Sequence, residues 1–348
     1  MIKGTQTDEF VINKVFLQLK NKDTTTYWDG GWYTSEKWAE VNVWASSWTY
    51  TNVPSWSNAV PYEMKVKAWD GAGSTSTIQT INIVFDNTEP DSGITQPSPS
   101  DPYVDDITSI GGTAKDDVSG ISDGCVKNQI IDLTLPATGY YNGGGWQADS
   151  FWLDTTGSSP WDKNYLIPNW ESGNKYRIIS KVFYDNATPP NVESTPASFD
   201  VVYDTVPPLS RVTYPANNSN EKSVAQIRGT CWDDWSSVQN DWGTYPLELE
   251  IIALKNVAAG WDDDEYWTGT SWSTNTAVVY PDVYKDSWTY TFSATLDSGR
   301  NYKLTPTIHD RVPNTQVDIS SNTFLFDNDA PQCAVTYPQG NLNLSLIH

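Results

Sequence analysis

Aspartate is the residue type whose placement in this sequence could do chemistry, because it recurs at fixed places along the chain. Three short stretches each contain an aspartate that follows an alternating apolar run and precedes a proline: Asp86, Asp204 and Asp327. We call these stretches seams, because each is a candidate boundary between repeats. Paired aspartates follow a Gly-Thr dipeptide twice, as Asp116 with Asp117 and Asp233 with Asp234. A run that starts with tyrosine ends in Asp185 and, later, in Asp310. Carboxylates are the hard oxygen ligands that Ca²⁺ prefers, so these nine residues are candidate calcium ligands.

Tryptophan is the second residue type with a candidate binding role. Three turns combine aromatic residues with glycine, and their tryptophans are Trp28, Trp32, Trp146, Trp267 and Trp272. Exposed rings of this kind could stack on sugars. Alternatively, they fix an inserted segment onto its own sheet or contact neighbouring domains or molecules. Three other tryptophans, Trp48, Trp69 and Trp288, lie within apolar runs and are predicted to be core residues, since large aromatics dominate sandwich interiors.

Catalytic residues are scarce. His309 and His348 are the only histidines, and there is no HExxH or CxxC motif. The acidic run from Gly260 to Glu265 could supply glycosidase carboxylates, but a solvated loop is the simpler interpretation. Cys125, Cys231 and Cys333 share no spacing that suggests disulfides or a metal site, so we expect buried free thiols. The sequence predicts that the protein is not an enzyme.

The charge of the chain restricts its partners. Forty-three acidic residues against 21 basic ones give a net charge of −22, which repels nucleic acid and anionic lipid. No apolar stretch is long enough for a membrane span, and Met1 to Thr5 is not a signal peptide, so an export signal would lie outside this chain. The sequence predicts a protein with no nucleic-acid partner and no membrane insertion in this segment.

The landmarks recur in the same order, which indicates one fold used repeatedly. Helix formers are scarce, and short runs of Thr, Val, Ile, Tyr and Trp alternate with turn residues, as in all-β proteins. The third repeat shows the pattern most clearly, with strands predicted over 209–214, 225–231, 247–254, 288–292, 302–308 and 322–326. About seven short strands per repeat is typical of an antiparallel Greek-key sandwich. We read the segment around each aromatic-glycine turn as an inserted loop or extra hairpin.

This topology predicts where the aspartates meet. The first strand of such a sandwich begins at the end that carries the loops between strands two and three and between strands six and seven. At each boundary between repeats, three kinds of aspartate should therefore converge. They are the seam aspartate, the paired aspartates and the late aspartate, which is Asp185 in the second repeat and Asp310 in the third. The alternative is that each aspartate caps its own turn through its side chain, which aspartate does readily.

The motifs resemble those of the tandem bacterial immunoglobulin-like domains of large cell-surface proteins and adhesins. The resemblance rests on the seam Asp and Pro, the run Val-Thr-Tyr-Pro-Ala-Asn-Asn-Ser, the pattern Gly-Thr-x-x-Asp-Asp and the late aspartates. It covers the whole chain and implies an elongated string of immunoglobulin-like β-sandwiches with an extracellular, stalk-like role. Fold alone specifies no activity.

The seams predict the domain organisation. Residues 1–86 form a first repeat that lacks its opening strand, 87–204 a second repeat and 205–327 a third. Residues 328–348 carry the opening strand of a following repeat. Two explanations remain open: the chain is a slice of a longer array, or this strand completes the first sandwich of a neighbouring molecule.

The sequence therefore predicts an extracellular structural protein that forms part of a surface stalk, an adhesin or a head-to-tail filament, by donor-strand addition in the last case. Its expected partners are copies of itself or further repeats of the same array, with calcium as the expected cofactor. The alternative is a carbohydrate-binding surface protein that uses the turn tryptophans on a surface polysaccharide.

Overall fold

The computed structural model describes residues 1–8, 12–134, 139–233, 247–312 and 314–337. Over these ranges the chain is built of β-strands, with one short 3-10 helix at Val257–Ala259. Among the same residues, no helix has the length and apolar character needed to cross a bilayer. The all-β class predicted from the composition is confirmed.

Strands of the first group form one eight-stranded sheet system, with the order β1-β6-β5-β2-β3-β4 and with β7 between β2 and β8. Its strand β5 pairs with β2 through Ala39 and with β6 through Trp44, so it passes from one layer of the sandwich to the other. The strands are β1 (Ile2–Thr5), β2 (Ile12–Asn21), β3 (Thr26–Trp28), β4 (Trp32–Tyr33), β5 (Ala39–Trp44), β6 (Ser47–Tyr50), β7 (Pro61–Asp70) and β8 (Gln79–Val84).

The second group has ten strands in the order β10-β18-β17-β12-β15-β16-β11-β9, with the β13–β14 hairpin attached to β12. Here β15 changes layers as β5 does, pairing with β12 at Leu153 and with β16 at Gly157. The strands are β9 (Asp91–Gln96), β10 (Tyr103–Val104), β11 (Gly111–Lys115), β12 (Val126–Asp132), β13 (Gly139–Tyr141), β14 (Trp146–Gln147), β15 (Leu153–Gly157), β16 (Trp161–Lys163), β17 (Lys175–Val182) and β18 (Ala197–Tyr203).

The third group separates into a four-stranded sheet, β19-β21-β26-β25, and a six-stranded sheet, β20-β28-β27-β22-β23-β24. Apart from a parallel β20–β28 pair, the recorded strand pairs of this group are antiparallel. The strands are β19 (Leu209–Tyr214), β20 (Ser219–Glu221), β21 (Gln226–Trp232), β22 (Leu247–Ala253), β23 (Glu265–Trp267), β24 (Trp272–Ser273), β25 (Asp282–Tyr284), β26 (Ser287–Thr291), β27 (Arg300–Ile308) and β28 (Asn322–Phe326).

The strand order of the third group is that of an immunoglobulin-like sandwich. The opening segment contributes β19 to one sheet and β20 to the other, and β27 pairs with both β22 and β28. This arrangement confirms the predicted Greek-key sandwich. The insertion predicted at each aromatic-glycine turn is a hairpin: β3–β4, β13–β14 and β23–β24.

By contact density the chain divides into two compact units. The first comprises Met1–Ser100, Ile107–Asn169 and Tyr176–Asp200, and the second comprises Asp101–Asp106, Trp170–Lys175 and the described part of Val201–His348. Domain boundaries at the three seams stay a prediction.

In each group one strand carries a Gly-Thr dipeptide: β1, β11 or β21. Each core is built around a tryptophan on the strand that pairs with this Gly-Thr strand. Trp48 is buried in the first group and Trp288 in the third, as predicted. The prediction for Trp69 is wrong: its side chain is 38% exposed and packs at the surface against Phe16, with ring centroids 5.0 Å apart. Successive strand residues point to opposite faces, and Trp69 lies on the outer face of β7.

Candidate metal sites and the clamp on the opening strand

Two trios of aspartates come together, one at each of the first two seams. Asp86, which follows β8, meets Asp116 after β11 and Asp185 after β17, with one carboxylate oxygen of each lying within 4.8 Å of the others. Asp204 after β18, Asp233 after β21 and Asp310 after β27 form an equivalent trio. Each trio lies within one compact unit. Both trios combine a seam aspartate with one aspartate from each of the two predicted loops.

Backbone amides hold the members of the first trio in place. Asp116 accepts hydrogen bonds at Oδ1 from the amides of Val118, Ser119 and Gly120 at 3.0, 2.7 and 3.2 Å. Its Oδ2 atom is buried and has no hydrogen-bond partner among the described residues. Turn capping therefore uses one oxygen and leaves the other for a further ligand.

The remaining members of the first trio are also anchored. Asp185 accepts hydrogen bonds from the backbone and side-chain nitrogens of Asn191 at 2.9 and 2.8 Å. Burial acts to raise the pKa of Asp86, but hydrogen bonds from Ser119 and Thr88 outweigh burial and lower that pKa. The charged form of Asp86 is therefore favoured.

The second trio carries an electrostatic cost. Asp310 is 5% exposed, and its carboxylate accepts hydrogen bonds from the backbone and side chain of Asn314 at 3.1 and 2.9 Å. Burial, together with the negative charges of Asp233 and Asp204, raises the pKa of Asp310 to about 7. A cation held by the three carboxylates would relieve this repulsion.

Two of the nine predicted ligands, Asp117 and Asp327, belong to neither trio, and a third is not among the described residues. Asp117 is exposed, and its carboxylate lies 3.8 Å from the Lys115 ammonium. Asp327 accepts hydrogen bonds from the Asp329 amide at 3.1 Å and from the Ser298 hydroxyl at 3.5 Å, and it belongs to no such trio among the described residues. Asp234 lies outside the described residues.

The sequence pattern did not predict a buried side chain that hydrogen-bonds to the first strand of the sandwich. We call this side chain the clamp and that strand, β9 or β19, the opening strand. Gln316 is 2% exposed; its Oε1 accepts a hydrogen bond from the Ser210 amide at 3.1 Å, and its Nε2 donates to the Ser210 carbonyl at 3.2 Å. In the second group, Glu193 accepts a hydrogen bond from the Ser92 amide at 2.9 Å. The two residues lie six and eight positions after the late aspartate, a spacing that gives no recognisable motif.

The turn tryptophans pack against the sandwich that carries them. Trp146 stacks on Tyr176 and Trp32 on Tyr62, with ring centroids 5.6 and 6.1 Å apart. Trp272 lies 5.6 Å from Tyr302, and its neighbour Trp267 is 4% exposed. Trp28 meets Trp32 edge-on at 5.3 Å. These contacts favour the structural alternative, in which the rings fix each hairpin to its own sheet.

No protein-family model matches the chain, and no curated protein matches it. Among solved structures, it is similar to the three N-terminal domains of the bacteriophage RB49 highly immunogenic outer capsid protein, with 11% identity and a TM-score of 0.36, covering 93% of this chain and 92% of that one. The FN1–FN3 domains of chicken CNTN1 give 11% identity, a TM-score of 0.30 and coverage of 92% and 91%. Fibronectin(III)-like modules of CbhA from Clostridium thermocellum give 12%, 0.27, and 68% and 94%. The fold assignment rests on the strand order of this chain.

Proposed function

We propose that the chain is an extracellular structural protein whose tandem sandwiches form part of a surface stalk, an adhesin or a head-to-tail filament, with calcium bound at the aspartate trios. The observation that carries the proposal is the repeated meeting of a seam aspartate with two loop aspartates of the sandwich that follows. The role is mechanical rather than catalytic.

Calcium at a trio would tie the incoming seam to both loops. Three carboxylates, one of them with an uncommitted buried oxygen at Asp116, match the oxygen ligands of Ca²⁺. Backbone carbonyls and water would complete the six to eight ligands that this ion takes. Bound calcium would therefore restrict the seam and stabilise the folded sandwich by mass action.

Calorimetric titration with Ca²⁺ and thermal unfolding with and without a chelator test the proposal. We expect binding heat and a higher melting temperature, since a ligand at 100 times its Kd adds about 2.7 kcal/mol to the stability of the folded state. Asp185→Asn should abolish binding at the first trio and Asp310→Asn at the second. Asp117→Asn is the matched control, because that exposed carboxylate lies outside the trio.

The calcium proposal fails if titration of the unmodified chain gives neither heat nor a melting shift. Equal losses in Asp117→Asn and Asp185→Asn would also contradict it, because a diffuse effect of negative charge would then explain the result. In that case the aspartates act as turn caps, as the hydrogen bonds of Asp116 would allow.

Carbohydrate binding is the rival function, and two exposed rings support it. Trp32 and Tyr33 on β4 are 37% and 44% exposed. Adding soluble polysaccharide and following tryptophan fluorescence tests this function, with Trp32→Ala as the comparison variant. Fluorescence that stays unchanged in the unmodified chain removes the rival.

A further inference from the structure

Strand β1 corresponds to β11 and β21 but lacks their outer neighbour. In each group the Gly-Thr strand pairs on one side with a tryptophan strand, and the register partners are Gly4 with Trp48, Gly112 with Trp161, and Gly229 with Trp288. On the other side β11 pairs with β9 and β21 with β19. Among the described residues, no strand pairs with the outer side of β1. Its backbone therefore presents a free sheet edge.

A cavity lies beside this edge, where the other sandwiches seat their opening strand. Its volume is 390 Å³, and its lining includes Gln6, Trp48, Val66 and Ser76. Ser76 holds the position that the clamp residue Gln316 has in the third sandwich. The Ser76 backbone amide donates to the Ala68 carbonyl at 2.9 Å, and the Gln316 backbone amide donates to the Ile308 carbonyl at 3.0 Å. The cavity thus occupies the place of the clamped strand.

One polar group in the cavity independently indicates a missing neighbour. Gln6 is 9% exposed, and its amide nitrogen donates to the carbonyl oxygens of Trp44 and Ala45 at 3.3 and 3.4 Å. Its Oε1 atom is buried and has no hydrogen-bond partner within the described part of the chain. A buried acceptor without a donor is costly, so a donor from an added segment would satisfy it.

The chain carries a segment whose sequence fits the free edge of β1 and the cavity beside it. The run Cys333-Ala334-Val335-Thr336-Tyr337-Pro338 repeats the pattern of β19 with its following proline, Ser210-Arg211-Val212-Thr213-Tyr214-Pro215. Each run begins six residues after its seam aspartate. In β19 the Val212 side chain is 8% exposed, whereas Val335 is 80% exposed and Tyr337 is 78% exposed. Apolar residues that a sandwich normally buries are thus left in solvent.

We propose that residues 332–337 of a second molecule add to β1 as an antiparallel strand, in the register of β19 on β21. The proposal rests on the head-to-tail form of the proposed function. In β19, Ser210 lies opposite Cys231, Val212 opposite Gly229, and Tyr214 opposite Arg228. The same register places the partner's Cys333 opposite Gln6, the partner's Val335 opposite Gly4, and the partner's Tyr337 opposite Lys3.

Two features of the third sandwich gain counterparts at this junction. The Arg228 guanidinium lies 5.2 Å from the Tyr214 ring centroid, and the ammonium of Lys3 would meet the partner's Tyr337 in the same way. The partner's Asp327 would approach Asp8 and Asp70, which stand where the second trio has Asp233 and Asp310. The junction would thus form a third trio from two molecules, so calcium is expected to strengthen the pairing.

Disulfide trapping tests the register. Opposite residues of an antiparallel pair have Cα atoms about 4.5–5.5 Å apart, within the range that a disulfide spans. The Gln6→Cys variant should therefore form an intermolecular disulfide with the exposed native Cys333 under mild oxidation. Cys125 and Cys231 are buried, as predicted, and should not interfere, whereas the prediction of a buried thiol is wrong for Cys333. Thr7→Cys is the control, because Thr7 is exposed and lies one position out of register with the partner's Cys333.

Sedimentation and thiol labelling of the full chain test the assembly. The unmodified chain should form concentration-dependent oligomers in which labelling of Cys333 slows by about tenfold or more, because labelling then requires the strand to detach. Val335 is the counterpart of Val212, which is buried. Val335→Asp would place a charge at this buried position of the added strand, so this variant should stay monomeric. Thr336→Asp should still assemble, since its counterpart Thr213 is exposed.

Monomers of the unmodified chain, equal behaviour of Val335→Asp and Thr336→Asp, or equal cross-linking of Gln6→Cys and Thr7→Cys would overturn the docking proposal. The two trios within one molecule would still bind calcium in that case, so the proposed function stands or fails separately. An Asp70→Asn variant should lose the calcium dependence of assembly, whereas Asp185→Asn should keep it.

Discussion

The first and third sandwiches share one strand plan but differ in how it is completed. In the third, the opening segment supplies β19 beside β21 and β20 beside β28, and Leu325 on β28 is half-buried. In the first, neither β1 nor β8 has such a neighbour among the described residues, and Val84, which holds the position of Leu325, is 54% exposed. Burial at equivalent positions thus depends on the neighbouring strand rather than on the residue itself.

The tryptophans at the two cores give the largest expected effect. Trp288 is 1% exposed, and its indole nitrogen donates to the Ser210 hydroxyl at 2.9 Å and to the Thr230 carbonyl at 3.2 Å. Trp288→Ala should destabilise the third sandwich by about 3–5 kcal/mol, the usual cost of such a cavity. Trp48→Ala should cost less, because its ring borders an open cavity. Chemical denaturation followed by segment-resolved hydrogen exchange measures both.

Equal losses for the two tryptophan variants would break the comparison. The opening strand would then add nothing to the packing of the tryptophan ring, and the free edge of β1 would have no effect on the stability of the first sandwich. Hydrogen exchange is needed because it assigns each loss to its own sandwich, whereas one global transition would merge them.

The clamp residues give an intermediate effect. Gln316→Ala removes both hydrogen bonds to Ser210 and leaves that backbone amide buried, which should cost about 1–3 kcal/mol. Ser76→Ala in the first sandwich should cost less than about 1 kcal/mol, because the exposed Ser76 holds no opening strand and its hydroxyl accepts only from the Ala68 amide at 2.9 Å. Exchange rates of the β19 amides should rise in Gln316→Ala.

Gln316→Glu sharpens the test of the clamp. The second sandwich uses Glu193 at this position, and its carboxylate accepts hydrogen bonds from the amides of Ser92 and Val182. A glutamate at 316 could still accept from the Ser210 amide but could not donate to the Ser210 carbonyl. Stability between that of Gln316→Ala and the unmodified chain is expected; a value as low as that of Gln316→Ala would mean that the donated bond alone carries the clamp.

Much of the architecture could be predicted from the sequence. The strand predicted over 209–214 is β19 and that over 322–326 is β28, because alternating apolar residues between turn residues leave few other solutions. Convergence of Asp86, Asp116 and Asp185 followed from topology, since loops at one end of a sandwich must meet.

Other features could not be predicted because they depend on three-dimensional partners. The clamp by Gln316 connects residues 106 positions apart in sequence, and a lone glutamine gives no pattern to read. The short strands β20 and β25 were missed because three residues with mixed polarity carry no period. Trp69 lies in a predicted strand, but the sequence pattern put its side chain on the wrong face.

The late aspartates of the two sandwiches, Asp310 in the third and Asp70 in the first, should respond to pH in opposite directions. Burial beside Asp233 and Asp204 raises the pKa of Asp310 to about 7, whereas backbone hydrogen bonding from Ser74 lowers the pKa of the half-buried Asp70. The folded state therefore binds more protons than the unfolded chain at Asp310 and fewer at Asp70. Without calcium, the Asp310 contribution falls as pH rises from about 4 to about 7 and then stays level.

Calorimetric melting in chelator from about pH 2 to about pH 8 covers both titrations. Each variant is compared with the unmodified chain at the same pH, which removes most of the general effect of the negative net charge. Asp310→Asn should remove the decline and gain stability relative to the unmodified chain above about pH 7. Asp70→Asn should lose a small stabilisation that is present above the ordinary aspartate pKa of about 4 and disappears as pH falls through the lowered value. The same sign in both variants would show that the two aspartates share one environment, against the contrast between an open and a completed sandwich.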